Sequence, residues 1–404
     1  MLLKLAWRNL WRNKRRTLIT LASIFFAVVL SSLMMSMKEG TYTNMIDSMV
    51  GAHIGYIQVQ DSAYAKDASI DDLMQFDQSV QNVLDENREI TDYAPRLQSF
   101  ALAASRDVTK GVLVVGGDLE AERRVHQLDQ RVVQGHYPSA GSGSALIGSG
   151  LAEYLNLQPG DTIVLLGQGY HGMNAAGKYP VAGILKYGSP ELSKQLVFLP
   201  LPAAQGLYGA DHLISSVIIE IHHKDKVNMI TRELNSSLPP RLVARTWEEI
   251  MPELKNMIET DRVEGYVFMF ILYMVITFGI LGTLIMMISE RRREFGILIS
   301  IGMKKLRLAT TFLIEIIILA IIGAILGILG AFPVCAYFHV NPIRFGDQLK
   351  DMMEEYGIEA ILQTSLDPSI YIQQAIIVCI VSIMVTMYPF YKITRLRVMN
   401  AIRT

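Results

Sequence analysis

Cysteine is nearly absent. Cys335 and Cys379 are the only two in 404 residues, and both fall in or beside long apolar runs. Counting along the helices those runs would form puts Cys335 near the outer membrane surface and Cys379 near mid-membrane. That is a poor match for a disulfide, so no bridge is expected. Charge is scarce as well: 19% of residues are charged, against about a quarter in soluble domains. The formal net charge of −1 offers no basic surface for a nucleic acid. Catalytic motifs are missing too. No zinc-ligand spacing, G-x-S-x-G elbow or C-x-x-C pair occurs, and the adjacent His222 and His223 point to opposite faces of a strand. The nearest approach to a phosphate loop is "GMNAAGKY", Gly172 to Tyr179. Tyr179 replaces the hydroxyl residue that would hold Mg²⁺, and "PVAGIL" continues as a strand where a helix is needed. The stretch reads as a glycine-rich hairpin tip.

Long apolar runs are what the sequence does have. Thr17 to Met37 is 21 residues without a charge, and Gly265 to Ser289 is 25. Leu308 to Ile343 is 36 residues with Glu315 as its one carboxylate, and Pro368 to Tyr391 is 24 with none. A bilayer core needs about 20 apolar residues in helical form, so four spans are expected. The first run is longer than the ~7–15 residues of a signal-peptide core, and no A-x-A site follows "SSLMMSMKEG". It reads as a retained span. Basic residues crowd three short segments. Residues 1–16 carry Lys4, Arg8, Arg12, Lys14, Arg15 and Arg16; 290–307 carry six more; and the tail has Lys392, Arg395, Arg397 and Arg403. The loop 341–367 is acidic on balance, with Asp347, Asp351, Glu354, Glu355, Glu359 and Asp367 against Arg344 and Lys350. The positive-inside rule then places both termini and 290–307 in the cytoplasm and residues 38–264 outside.

Residues 1–16 have helical periodicity, with Leu3, Trp7, Leu10 and Trp11 on one face and Lys4, Arg8, Arg12 and Arg15 on another. That pattern suits a helix on the inner membrane surface beside anionic lipid, or a plain positive-inside anchor. The external segment reads as α+β. Strands are expected at Gly55–Gln60, Tyr93–Ala104, Ser215–His222 and Arg241–Thr246, with helices at Ile70–Asn87 and Asp225–Ser236. Between these two β-α-β units comes a β-rich insertion around 111–212, in which Gly160 and Asp161 turn into a strand.

Between the second and third spans lies "SERRREFGILISIGMKKLRL". Phe295, Leu298 and Ile299 share a face at i, i+3, i+4 spacing, and Gly302 suits a helix stop. Such a helix can insert an apolar side into a partner's cleft while Arg291 and Glu294 pair at the rim. Glu315 stands about 10 Å along the third run. It reads either as a buried partner for an arginine or as a side chain reaching the headgroups. Ala320, Gly323, Gly327 and Ala331 form a small-residue face suited to close helix packing on another span or a second subunit.

"ERRREFGILISIGMKKLRLATTFLIEIIILAIIGAILGILGA" resembles the signature of the FtsX-like permeases, the MacB/LolC/LolE type of ABC transporter subunit. The resemblance extends to "AWRNLWRNKRRTLITLASI", to "YPFYKITRLRVMNAIR" and to the external "VVQGHYPSAGSGSALIGSGLAEYLNLQPGDTIVLL". It implies a membrane protein of four transmembrane helices, with a large α+β extracytoplasmic domain between helices 1 and 2. That domain would comprise a porter-like part (38–110 and 213–264) and a Sabre-like insert (111–212). It implies that 290–307 is a coupling helix docking on a separate ATPase subunit, present in two copies, with Glu290, Arg291, Glu294, Phe295, Gly296, Leu298, Ile299 and Gly302 in contact. ATP and Mg²⁺ would be bound by that partner, and this chain would hold no cofactor. A second permease subunit, identical or related, would complete the assembly. A periplasmic adaptor or lipoprotein carrier would bind outside, with the turn carrying Gln168, Tyr170, Met173, Lys178 and Tyr179 as the candidate contact. The work implied is extraction or export of a lipoprotein or other amphiphile. An FtsX-like regulator of a cell-wall hydrolase is the alternative, and a membrane-anchored sensor without an ATPase is a third.

Overall fold

The computed structural model describes residues 2–12, 14–105, 108–139, 141–187, 189–344, 346 and 361–395. The acidic residues between 347 and 359 and the basic Arg397 and Arg403 lie outside them. Two units separate along the chain: 1–43 with 257–344 and 361–404, and 44–256 with 345–360.

The first unit is helical. It contains α1 (Leu2–Arg12), α2 (Lys14–Ile46), α3 (Pro252–Glu290), α4 (Arg292–Ser300), α5 (Lys305–Val340) and α6 (Pro368–Thr394). Among the described residues, the four long helices are those with enough length and apolarity to cross a membrane. Three of them, α2, α3 and α6, overrun their apolar runs, whereas α5 stops at Val340 before its run ends, because helices end where caps and turns stop them. Beyond the first two runs, α2 and α3 are fastened by charge: Lys38 Nζ lies 2.9 Å from Asp261, Tyr42 donates to the same carboxylate, and Arg262 pairs with Glu39 at 3.3 Å.

The small-residue face of α5 packs on α2. A Cβ added at Gly323 would sit 2.7 Å from Ile24, and one at Gly327 would sit 2.6 Å from Val28. Neither position has room for a larger residue. Gly327→Leu should therefore lower the yield of folded protein in detergent, with overpacking costing about 1–3 kcal/mol. Gly282→Leu, with nothing within 4 Å of its Cβ position, should leave that yield unchanged.

The second unit is built on a ten-stranded sheet. Its strands are β1 (Ile57–Asp61), β2 (Ile90–Ser105), β3 (Val108–Gly117), β4 (Val132–Gly135), β5 (Ala145–Gly148), β6 (Thr162–Gln168), β7 (Asn174–Leu185), β8 (Leu196–Pro200), β9 (Ser216–Ile221) and β10 (Leu242–Thr246). The order is β10-β1-β9-β2-β3-β8-β5-β7-β4, and β6 pairs with both β2 and β7. The pairings β2-β3-β8-β5-β7-β6-β2 close a circuit. Its inward residues, among them Ala101, Ala103, Val112, Ile147, Leu165, Ala175 and Val197, form one core. Strands from the expected insertion thus continue the sheet of the flanking units, through the 16-residue β2.

The expected helix at 70–87 is shorter, spanning Gln78–Glu86. The Asp77 side chain accepts from the backbone N–H groups of Ser79 and Val80 and so sets its start, while Met74–Gln75 upstream pairs with Leu213–Ile214. Gly172–Tyr179 runs from the hairpin tip into β7, so no helix follows Lys178.

A buried ionic cluster crosses this unit. Arg96, on β2, donates from Nε and Nη2 to both carboxylate oxygens of Glu122, the latter at 2.6 Å, and from Nη1 to the backbone carbonyl of His53. His126 Nδ1 lies 3.2 Å from Glu122. All four residues are buried. Burial pushes the Glu122 carboxyl up, but the charge and hydrogen bonds of Arg96, with the hydrogen bond from His126, outweigh it and hold it well below the ordinary value. Burial, then Arg96, pushes both His53 and His126 down, so they are neutral at pH 7.

Candidate docking helix and its anchor

α4 follows α3 after a single residue, Arg291, whose carbonyl accepts from Phe295 N–H at 2.9 Å. The helix closes with a reverse turn: Met303 N–H donates to Leu298 O, and Gly302 N–H to Ile299 O, both at 3.0 Å. Gly302 has φ +103°, a region that glycine occupies without a Cβ penalty.

Arg291 and Glu315 are both buried, 3% and 2% exposed at the side chain. Arg291 Nη1 donates to Glu315 Oε2 at 2.7 Å, and Asn9 Nδ2 of α1 donates to Oε1 at 2.7 Å. Of the two readings of Glu315, the buried arginine partner is the one the structure adopts. Both carboxylate oxygens are engaged, as a buried charge requires. Glu294 lies 3.6 Å from Arg291 Nε and pairs with Arg12 of α1. One network therefore ties α1, the start of α4 and the first turns of α5.

The apolar face expected for docking is turned inward. Phe295 is 3% exposed, in a core with Leu10, Leu284, Ile288, Leu308 and Phe312, and Ile299 and Met303 pack against that core. Gly296 is buried as well. The outward face is instead Ile297, Leu298 and Ile301, with Ile301 80% exposed. Of the predicted apolar contacts, only Leu298 belongs to it. The i, i+3, i+4 pattern finds a helix's apolar stripe, and that stripe packs on the chain's own bundle. The signal for the second face was the surplus apolar residues at i, i+1 and i+4 on the opposite side. Glu290 is exposed at the end of α3. The expected face of α1 also divides: Leu10 is buried, whereas Trp7 and Trp11 point outward with ring centroids 6.1 Å apart.

In the strand unit, the turn proposed for a carrier is only partly free. Gln168, Met173 and Lys178 are exposed. Tyr170 and Tyr179 pack against the core, and Tyr179 donates to Ala203 O at 3.4 Å. The backbone N–H of His171 donates to Asp71 at 2.6 Å. An apolar patch that sequence reasoning did not single out lies on the outer face of β2 and β6: Phe100, Leu102 and Leu166 are exposed, and Leu102 pairs directly across from Leu166.

The four apolar helices, with a large domain between the first two, define a multi-pass membrane protein. The MacB-like periplasmic core domain profile matches residues 17–237, and the FtsX-like permease C-terminal profile matches 266–398. The chain belongs to the FtsX-like, MacB-type permease family of ABC transporters, an inner-membrane class. It is 21% identical over 326 residues to the lipoprotein-releasing system transmembrane protein LolC of Neisseria meningitidis serogroup B, covering 77% of this chain and 75% of that one. It is 25% identical over 233 residues to LolE of Haemophilus influenzae, covering 56% of each. The macrolide export ATP-binding/permease protein MacB of Nitrosomonas europaea is 24% identical over 361 residues, covering 81% of this chain and 50% of that one. The chain thus spans about half the length of that relative.

Proposed function

We propose that this chain is the transmembrane subunit through which ATP hydrolysis by a separate nucleotide-binding subunit drives movement of the strand domain on the outside of the membrane. The substrate is a lipoprotein or another amphiphile. The observation that carries the reading is the outward Ile297–Leu298–Ile301 face on a short helix whose start is held by the Arg291–Glu315 pair. An apolar surface of this kind, on a helix rigidly anchored to the bundle, suits docking into a groove of a second protein. α4 moves with the partner, and the ionic network passes that motion to α1 and α5. Two such chains, identical or related, complete the assembly, with the termini in the cytoplasm. The exposed Phe100, Leu102 and Leu166 patch has the chemistry for an amphiphile or its carrier.

Ile301→Asp tests the docking face. The side chain is exposed, so the variant should insert and fold normally. Co-purification of the ATPase with the full-length chain should fall about tenfold or more, as expected when a charge enters an apolar contact. Undiminished co-purification of the ATPase would overturn the reading. Loss with Phe295→Asp alone would show only that the bundle core had been damaged.

A further inference from the structure

α1, α4 and the first turns of α5 enclose a cleft of about 290 Å³ lined by Arg8, Arg12, Arg291, Glu294, Phe295 and Phe312 among others. Its polar groups are unevenly matched. Arg291 serves Glu315, and Arg12 serves Glu294. Arg8 is exposed and forms no ion pair among the described residues. The cleft therefore carries three guanidinium groups against two carboxylates, and its surplus charge rests on Arg8. Arg291 Nε–H, buried in the same wall, has no acceptor within hydrogen-bond distance among the described residues, Glu294 standing 3.6 Å away. The remaining wall is apolar: Leu308 and Phe312 come from the membrane-entering end of α5, and Ile297 and Leu298 from α4. Outside the cleft, on the same helix as Arg8, the indoles of Trp7 and Trp11 stand exposed one turn apart. Exposed indoles beside basic residues mark headgroup depth.

We propose that this cleft binds the phosphate headgroup of a single anionic phospholipid, with Arg8 as the main charge contact and the Leu308–Phe312 wall meeting the glycerol end. The volume, at the low end for small-ligand pockets, accommodates a headgroup and leaves the acyl chains to run along α5 into the bilayer. The lipid bridges α1 to α4 and joins the ionic network of Arg12, Glu294, Arg291 and Glu315. The cleft shares Ile297 and Leu298 with the proposed docking face, and Ile301 lies outside it, so the Ile301 and Arg8 variants separate the two readings.

The test uses the full chain, purified in detergent, stripped of lipid and exposed to phosphatidylglycerol or phosphatidylcholine, with bound lipid read by native mass spectrometry. One phosphatidylglycerol per chain should be retained in preference to phosphatidylcholine. Arg8→Gln should reduce that retention about fivefold or more, the scale of one basic group close to a lipid headgroup. Arg15→Gln, which removes another exposed charge outside the cleft, should leave it within about twofold, since diffuse attraction is screened in solution. Equal losses in the two variants would show general surface electrostatics and overturn the proposal. So would displacement of the lipid by millimolar inorganic phosphate, which would mark a free-phosphate site. Unchanged lipid retention in Arg8→Gln with loss of ATPase co-purification would assign the cleft to the protein partner instead.

Discussion

Glu122→Gln will destabilise the strand unit by about 3–5 kcal/mol, the usual result of leaving one member of a buried ion pair unmatched. Glutamine keeps the shape of the side chain and removes the charge. Arg96 then remains buried with its Nε and Nη2 donors facing a weaker acceptor, and His126 loses its anionic neighbour. Hydrogen exchange on the full-length protein in detergent will show the loss as faster exchange across β2 and the 119–126 helix. The double variant Arg96→Met/Glu122→Leu should recover part of it, because two apolar groups can replace a buried pair at little cost. Recovery will be incomplete, since the His53 carbonyl loses its Arg96 donor.

The same cluster sets a pH dependence whose sign follows from three groups that all shift downward. Burial, followed by Arg96, holds His53 and His126 neutral in the folded state, while the unfolded chain protonates them below about pH 6.5. Glu122 stays ionised to lower pH than in the unfolded chain. In each case the unfolded state binds more protons as pH falls, so stability is fully present above about pH 7 and declines toward pH 5. His53 faces Arg96, Glu122, His126, Arg131 and Tyr187, of which Glu122 alone is a carboxylate, and Arg96 already claims it. Replacing both histidines with glutamine should flatten the decline between about pH 6.5 and 5, leaving the Glu122 contribution at lower pH. A decline of unchanged steepness would refute the assignment.

Glu315→Gln will have a comparable effect in the helical unit. Arg291 would keep a partner for one hydrogen bond but lose its counter-charge in a site where it is 3% exposed. The expected destabilisation is again about 3–5 kcal/mol, and α4 should lose hydrogen-exchange protection before the long helices do. The swap Arg291→Glu/Glu315→Arg restores a pair of opposite charges. It leaves Asn9 Nδ2 facing a guanidinium in place of its acceptor, so rescue should be partial. Full rescue would mean that Asn9, and through it α1, contributes little to holding the helix.

Four spans, the order of the flanking external elements and the stop at Gly302 were legible because each rests on local chemistry: apolar length, alternation and a glycine turn. The Glu315 site was half legible. A carboxylate in an apolar run signals a partner, but which of six arginines or lysines in 290–307 would reach it depends on packing. Which apolar side of α4 is left exposed was not legible for the same reason. Phe295 and Ile299 form the better stripe, and the bundle's own demand for a core takes it first. The fastening at Lys38, Glu39, Asp261 and Arg262 was not legible, because charges at the end of an apolar run read as the end of a helix. The closed circuit of strands depends on β6 meeting β2 across 60 residues of chain, a pairing that no local pattern announces.

β2 belongs at once to the flanking sheet, through β9, and to the strand circuit, through β3 and β6. A segment inserted on a pair of flexible linkers could swing freely, like a door. Here the frame and the door share a board. Turning one part against the other would shear backbone hydrogen bonds along β2, so a twist applied where Arg96 grips the His53 carbonyl is carried along that strand as torsion. Within this unit, stiffness is the expected mechanical property, and compliance has to be sought in its loops.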